Sequence, residues 1–304
     1  MINITQVLCP IDFSEYSRHA LEHAMAIARQ YEAPVTVLHA LGIPPAPVPP
    51  GAYVGYGPLS LPPRAGIDEV TKAVHDFCKP LVSGGVSPSV VVRDGAPVNT
   101  IVDQAENLPA DLLIMGTHGR GGFDRLTLGS VAERVIRKVR CPVLTVPPRA
   151  EEVAAGPIVY KTILCPLDFS PPSIRALEFA LAWAQAADAR LILLHAIEPD
   201  VDDEAGVRAL AHFTVPEYHR HIKEDAGKRL RALIPEDART WCVPEYRLVS
   251  GKPYREILSA AAETGSQLIV MGVAGRGALS TMVFGSTTNQ VLRGAACPVL
   301  TVKS

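Results

Sequence analysis

The sequence lacks the short motifs that announce the commonest phosphate and metal chemistries. There is no G-x-x-x-x-G-K-[ST], no G-x-S-x-G and no H-E-x-x-H in its 304 residues, which argues against a P-loop, an α/β-hydrolase nucleophile and a zinc-protease helix. Neither sign of charge predominates, with 29 Lys and Arg against 31 Asp and Glu. A formal net charge of −2 gives no electrostatic reason to expect nucleic acid or an anionic membrane as a partner. No run approaches the ~18 apolar residues that a membrane span needs, and the stretch Met1 to Gln6 carries no positive segment before its short apolar run. A cytoplasmic location is the expectation. The six cysteines (Cys9, Cys78, Cys141, Cys165, Cys242, Cys297) include no C-x-x-C and no zinc-like spacing, so buried, reduced thiols are expected.

What the sequence does contain is a repetition. An apolar run ends at Met115-Gly116, Gly119 follows, and Gly129-Ser130 then opens a helix-like pattern. The same spacing recurs 156 residues on, at Met271-Gly272, Gly275 and Gly285-Ser286. Glycines let backbone N–H groups approach a phosphate closely, and a Gly-Ser at a helix start adds free amides and the positive end of the helix dipole. Each loop therefore reads as a phosphate cradle, with tight turns as the plainer alternative. Arg120 and Arg276 are secondary candidates for a phosphate clamp, or solvated loop arginines.

The repeat covers nearly the whole chain. Asp12 matches Asp168, His39 matches His195, Gly95-x-Pro97 matches Gly251-x-Pro253, and Cys141-Pro-Val-Leu-Thr-Val146 matches Cys297-Pro-Val-Leu-Thr-Val302. Two domains are expected, at 1–148 and 159–304, joined by a linker at 149–158. Within the first, strands are expected at 4–11, 34–41, 86–92, 112–115 and 143–146. Helices are expected after Ser14, over 67–81, over 97–108 and after Ser130. Strands alternating with helices predict an α/β fold, a doubly wound parallel sheet in each half. Ligands in such sheets lie outside the carboxyl ends of the strands, where the strand order switches. The Asp12 turn and the Gly116 loop both belong there. Asp12 and Asp168 either face a ligand or only close the turns before Ser14 and Ser170.

The halves differ in one place. Residues 43–66 form a Pro- and Gly-rich insert in the first, a long loop or lid, where the second carries an acidic stretch and then His212, His219 and His221. These histidines match no standard metal spacing and read as a solvated helix face. His39 and His195 read as hydrogen-bonded core or rim residues.

These residues resemble the universal stress protein family, in its tandem, ATP-binding form. The resemblance rests on the two G-x2-G-x9-G-S loops, the Pro-x-Asp turns and the Cys-Pro-Val-Leu-Thr-Val strands. It implies five-stranded parallel sheets in the order 3-2-1-4-5 with ATP, with or without Mg, at the carboxyl ends. By that likeness Asp12 and Asp168, with Pro10 and Pro166, lie against the nucleoside. Backbone near Ala40 and Ala196 borders the adenine. The ribose and phosphates fall to Met115, Gly116, Gly119, Arg120, Gly129, Ser130 and Val131, and to Met271, Gly272, Gly275, Arg276, Gly285, Ser286 and Thr287. The family pairs its last strands about a two-fold, so the halves are expected to pair with each other or with a second chain as a homodimer. His118 and Arg125 become Ala274 and Thr281 in the second copy, and a tighter first site is the corresponding expectation. The functional expectation is a nucleotide-dependent stress or signalling module acting on a protein partner. A slow Mg-dependent ATP hydrolase and a nucleotide-free scaffold stand as alternatives.

Overall fold

A computed structural model describes residues 4–42, 66–82, 86–119, 128–148, 150, 158–198, 215–275 and 284–303. The proline-rich insert, Arg120, Arg125, Arg276, Thr281, His212 and the side chain of His219 lie outside the described residues.

The first half runs β1 (Val7–Ile11), α1 (Glu15–Tyr31), β2 (Val35–Ala40), α2 (Ile67–Cys78), β3 (Ser89–Arg93), α3 (Pro97–Asn107), β4 (Leu112–Gly116), α4 (Ser130–Lys138) and β5 (Val143–Val146). The second repeats it as β6 (Thr162–Pro166), α5 (Pro171–Ala187), β7 (Arg190–Ile197), α6 (Val215–Ala232), β8 (Glu245–Ser250), α7 (Pro253–Thr264), β9 (Leu268–Gly272), α8 (Ser286–Gly294) and β10 (Val299–Val302). Ser14 caps α1 by accepting a hydrogen bond from the Ser17 N–H, and Ser170 caps α5 in the same way from Ser173. Two strands begin later than the apolar pattern suggests. The Thr5 and Gln6 amides donate to the Asp111 carboxylate at 2.7 and 3.0 Å, so β1 starts at Val7. Pro88 has no N–H for the ladder, so β3 starts at Ser89.

All ten strands form one sheet in the order β3-β2-β1-β4-β5-β10-β9-β6-β7-β8. Each half is parallel and keeps the order 3-2-1-4-5. The halves join through β5 and β10, which pair antiparallel with Leu144 opposite Leu300. Thr145 and Thr301 are buried at this seam, and their hydroxyls donate across it to the carbonyls of Val299 and Val143 at 3.1 and 3.2 Å. Alternation along each strand feeds two apolar layers. Val7 and Cys9 face the α1 and α5 side, while Leu8 faces the α3, α4, α7 and α8 side, and both layers continue through both halves. The pairing left open by sequence is thus made within the chain. His23, Tyr160 and Trp183 add a buried contact between the halves, with His23 Nδ1 3.2 Å from the Tyr160 hydroxyl.

All six cysteines are free. Cys9, Cys78, Cys165 and Cys242 are buried as expected, but Cys141 and Cys297 are only half-buried, because each sits in the turn ahead of its last strand. Burial pushes both of these thiols up, Cys141 to about 11 and Cys297 to about 12.

Candidate functional site

In each half the switch in strand order falls beside β1 or β6, which has a neighbour on either side. The crevice at the carboxyl ends of β1 and β4, and of β6 and β9, is where a doubly wound sheet places a ligand. Asp12 follows β1 directly and Asp168 lies two residues beyond β6. Both carboxylates divide their oxygens. Asp12 Oδ1 accepts from the Ser14 amide at 3.1 Å and its hydroxyl at 2.5 Å, and Asp168 Oδ1 accepts from Ser170 at 3.0 and 2.5 Å. The turn-closing reading therefore holds for one oxygen. The other oxygen points at the glycine loop. A Cβ added to Gly119 would lie 2.6 Å from Asp12 Oδ2, and one added to Gly275 would lie 2.7 Å from Asp168 Oδ2. A side chain at either glycine would push the carboxylate aside, so Asp12 with Gly119, and Asp168 with Gly275, meet across the crevice although sequence separates them by more than a hundred residues.

Gly116 and Gly272 have a different neighbour. Added Cβ atoms would meet the backbone of Tyr16 at 2.9 Å and of Pro172 at 2.8 Å, so these glycines let the first turns of α1 and α5 seat against β4 and β9. The loop returns to the strand at Gly129, whose N–H donates to Thr117 O at 2.8 Å, and at Gly285, whose N–H donates to Val273 O at 3.0 Å. Helices α4 and α8 begin immediately after. Their first bonds to the cap carbonyls come from Glu133 and Asn289 at 3.0 Å, which leaves the amides of Ser130, Val131 and Ala132, and of Ser286, Thr287 and Thr288, without an intrahelical acceptor. Ser130 and Ser286 are exposed. Together these groups make a cup of outward-facing N–H donors at a positive dipole end, beside a carboxylate.

The other expected residues among those described lie at or next to the carboxyl ends of their strands. Ala40 ends β2 beside Arg93, and Ala196 lies one residue before the end of β7 beside Val249. Met115 and Met271 are buried in the α4 and α8 layer, and Pro10 and Pro166 are buried in β1 and β6. His39 and His195 stand next to the crevice, with Nδ1 2.9 Å from Ile11 O and 2.6 Å from Leu167 O. Each Nδ1 faces a carbonyl oxygen, which can only accept, so in both histidines Nδ1 carries the proton and donates.

Sequence reasoning passed over Phe13 and Phe169. Each has a left-handed backbone, φ 64° and 63°, between the aspartate and the capping serine. Such a conformation is costly for an aromatic residue and persists only where packing imposes it. Here the rings pack on His39 and His195, with centroids 4.7 Å apart in both halves. The repeated Asp-Phe-Ser tripeptide was the available signal. The cups also differ locally. Tyr16, Thr117 and His118 in the first become Pro172, Val273 and Ala274 in the second. Thr117 Oγ1 lies 2.9 Å from His118 Nδ1 and the Tyr16 ring packs at 5.4 Å, while His118 Nε2 is buried without a partner among the described residues.

Fold and site define a duplicated, doubly wound α/β protein with one loop-and-aspartate crevice per half. The sequence model of the universal stress protein family matches residues 3–147 and again residues 159–303, and the chain belongs to that family. A universal stress protein of Mycobacterium tuberculosis is 28% identical over 281 residues, which is 89% of this chain and 87% of the relative. One from Methanocaldococcus jannaschii is 35% identical over 144 residues, 46% of this chain and 81% of the relative. The crystal structure of a universal stress protein from Archaeoglobus fulgidus shares the fold across 98% of both chains, with a TM-score of 0.62 and 23% identity. Among the described residues no helix is long and apolar enough to cross a membrane.

Proposed function

We propose that residues 1–148 and 159–304 each bind one adenine nucleotide, ATP with or without Mg, and that occupancy biases a surface read by a protein partner in a cytoplasmic stress or signalling response. The observation that carries this reading is the apposition of Asp12 Oδ2 to Gly119, repeated at Asp168 and Gly275. A carboxylate accepts hydrogen bonds from a ribose or a base, whereas the amide cup at Ser130 or Ser286 donates to phosphate, and a nucleotide carries both kinds of group. The two copies keep this combination although much of the rest has diverged. Within each half, Gly119, Gly129, Ser130 and Val131, or Gly275, Gly285, Ser286 and Thr287, take the phosphates. Ala40 or Ala196 borders the base. Arg120 and Arg276 are assigned to the phosphates on loop position alone.

Thermal unfolding with and without ATP is the test. A ligand at about 100 times its Kd adds about 2.7 kcal/mol to stability, so millimolar ATP is expected to raise the midpoint in the wild type. Replacing both Asp12 and Asp168 by Asn is expected to abolish most of the rise. An unchanged wild-type midpoint in millimolar Mg-ATP would contradict nucleotide binding.

A further inference from the structure

The antiparallel seam sets the halves head to tail. The carboxyl end of β10, which borders the second crevice, therefore lies beside the end of the first half that is remote from its own crevice. Two contacts cross there. Arg137, in the last turn of α4, holds its guanidinium carbon 5.4 Å from the ring centroid of Phe284. Phe284 is the buried residue directly before Gly285-Ser286, the start of the second amide cup. Lys303, one residue past β10, donates from Nζ to the carbonyl oxygen of Arg137 at 2.6 Å, a favourable place for a cation at a helix C-terminus.

The same helix α4 opens at Ser130 in the first cup. Its nine residues, about 13.5 Å long at helical rise, thus run from one crevice to the residue flanking the other. Among the described residues the reverse connection is missing. Where Phe284 and Lys303 stand, the first half has Leu128 and Pro147, so Arg293, the counterpart of Arg137, meets neither a ring nor a lysine at the matching positions.

We infer that Arg137 is a positioning residue for the second crevice, and that α4 alone couples the two sites. The inference rests on the proposal that both crevices bind nucleotide. Anion at the N-terminus of α4 holds the helix in place. The helix then holds Arg137 on Phe284, and with it the Gly285 turn that aims the α8 amides. Because linkage is reciprocal, nucleotide in the second crevice favours binding in the first by the same factor.

The test has two readouts on the full chain. The first uses no nucleotide: amide hydrogen exchange at Gly285 and Asn289, whose N–H groups bond to Val273 O and Gly285 O. Exchange there is expected to quicken in Arg137→Ala, while Gly129 and Glu133 keep wild-type protection in Arg293→Ala. The second is ATP titration of the second crevice after the first is disabled by Asp12→Asn with Gly119→Ala. Affinity is expected to fall roughly two- to fivefold on disabling the first site, the range of one exposed cation–π contact. In the Arg137→Ala background, disabling the first site is expected to change nothing further. Unaltered exchange at Gly285 and Asn289 in Arg137→Ala, or an equal loss of coupling in Arg293→Ala, would overturn the inference. Absence of ATP binding to the wild type would sink the nucleotide proposal instead, and the exchange readout would still decide the role of Arg137.

Discussion

Gly116 and Gly119 lie three residues apart, and the space around them separates their purposes. An alanine methyl at Gly116 would meet the Tyr16 backbone, which cannot yield without shifting α1. Gly116→Ala is expected to cost about 1–3 kcal/mol, the usual range for overpacking, measurable by denaturant unfolding. At Gly119 the methyl would meet, among the described residues, only the end of the flexible Asp12 side chain. Gly119→Ala is therefore expected to leave stability within about 0.5 kcal/mol and to weaken nucleotide binding in the first half, by roughly tenfold or more if a hydrogen bond to the displaced carboxylate is lost. Equal stability losses for the two variants would show that both glycines serve packing. His23 supplies a separate test. Burial and, secondarily, the nearby His19 lower its pKa to about 4. The unfolded chain takes up this proton near pH 6.5 and the folded chain does not, so its contribution is full above pH 6.5 and is lost as pH falls towards 4. The loss is about 3 kcal/mol across that window, and pH-dependent unfolding of His23→Phe is expected to be flatter there than that of the wild type.

The elements most legible in the sequence were those with strong local signals. Ser14 and Ser170 announced α1 and α5, and the apolar runs at 112–115 and 268–271 announced β4 and β9, because caps and buried parallel strands are written in consecutive residues. The starts of β1 and β3 were less legible, since one depends on a carboxylate more than a hundred residues away, at Asp111, and the other on a missing N–H at Pro88. Partner choice for β5 and β10 was not legible at all. Identical Val-Leu-Thr-Val strands suit either an intramolecular or an intermolecular seam, and the linker expected at 149–158 does not discriminate. At the seam itself Leu144 and Leu300 are fully buried and directly opposed. Leu144→Ala and Leu300→Ala are each expected to destabilise by about 2–5 kcal/mol, and because the residues touch, their effects are expected to be non-additive in a double-mutant cycle. Strict additivity would argue that the seam opens independently of the cores.

At the scale of the whole molecule, the two repeats share one continuous sheet and two apolar layers. The copies differ around a shared set of residues. The aspartate, the paired glycine and the Gly-Ser helix start are kept. Tyr16, Thr117 and His118 against Pro172, Val273 and Ala274 are not. The candidate site was legible in the sequence to this extent because repetition marks the retained residues. The repeated Asp-Phe-Ser tripeptide marks Phe13 and Phe169, but no residue preference within it points to the left-handed backbone that both adopt. The central claim is that both crevices hold adenine nucleotide. The most direct measurement is to denature freshly purified protein and quantify the released ATP, ADP and AMP per chain. Adenine nucleotide at about two per chain, falling to about one in Gly119→Ala, is the predicted result. No released nucleotide, together with no stabilisation on adding Mg-ATP, would contradict the account and leave the glycine loops as structural turns.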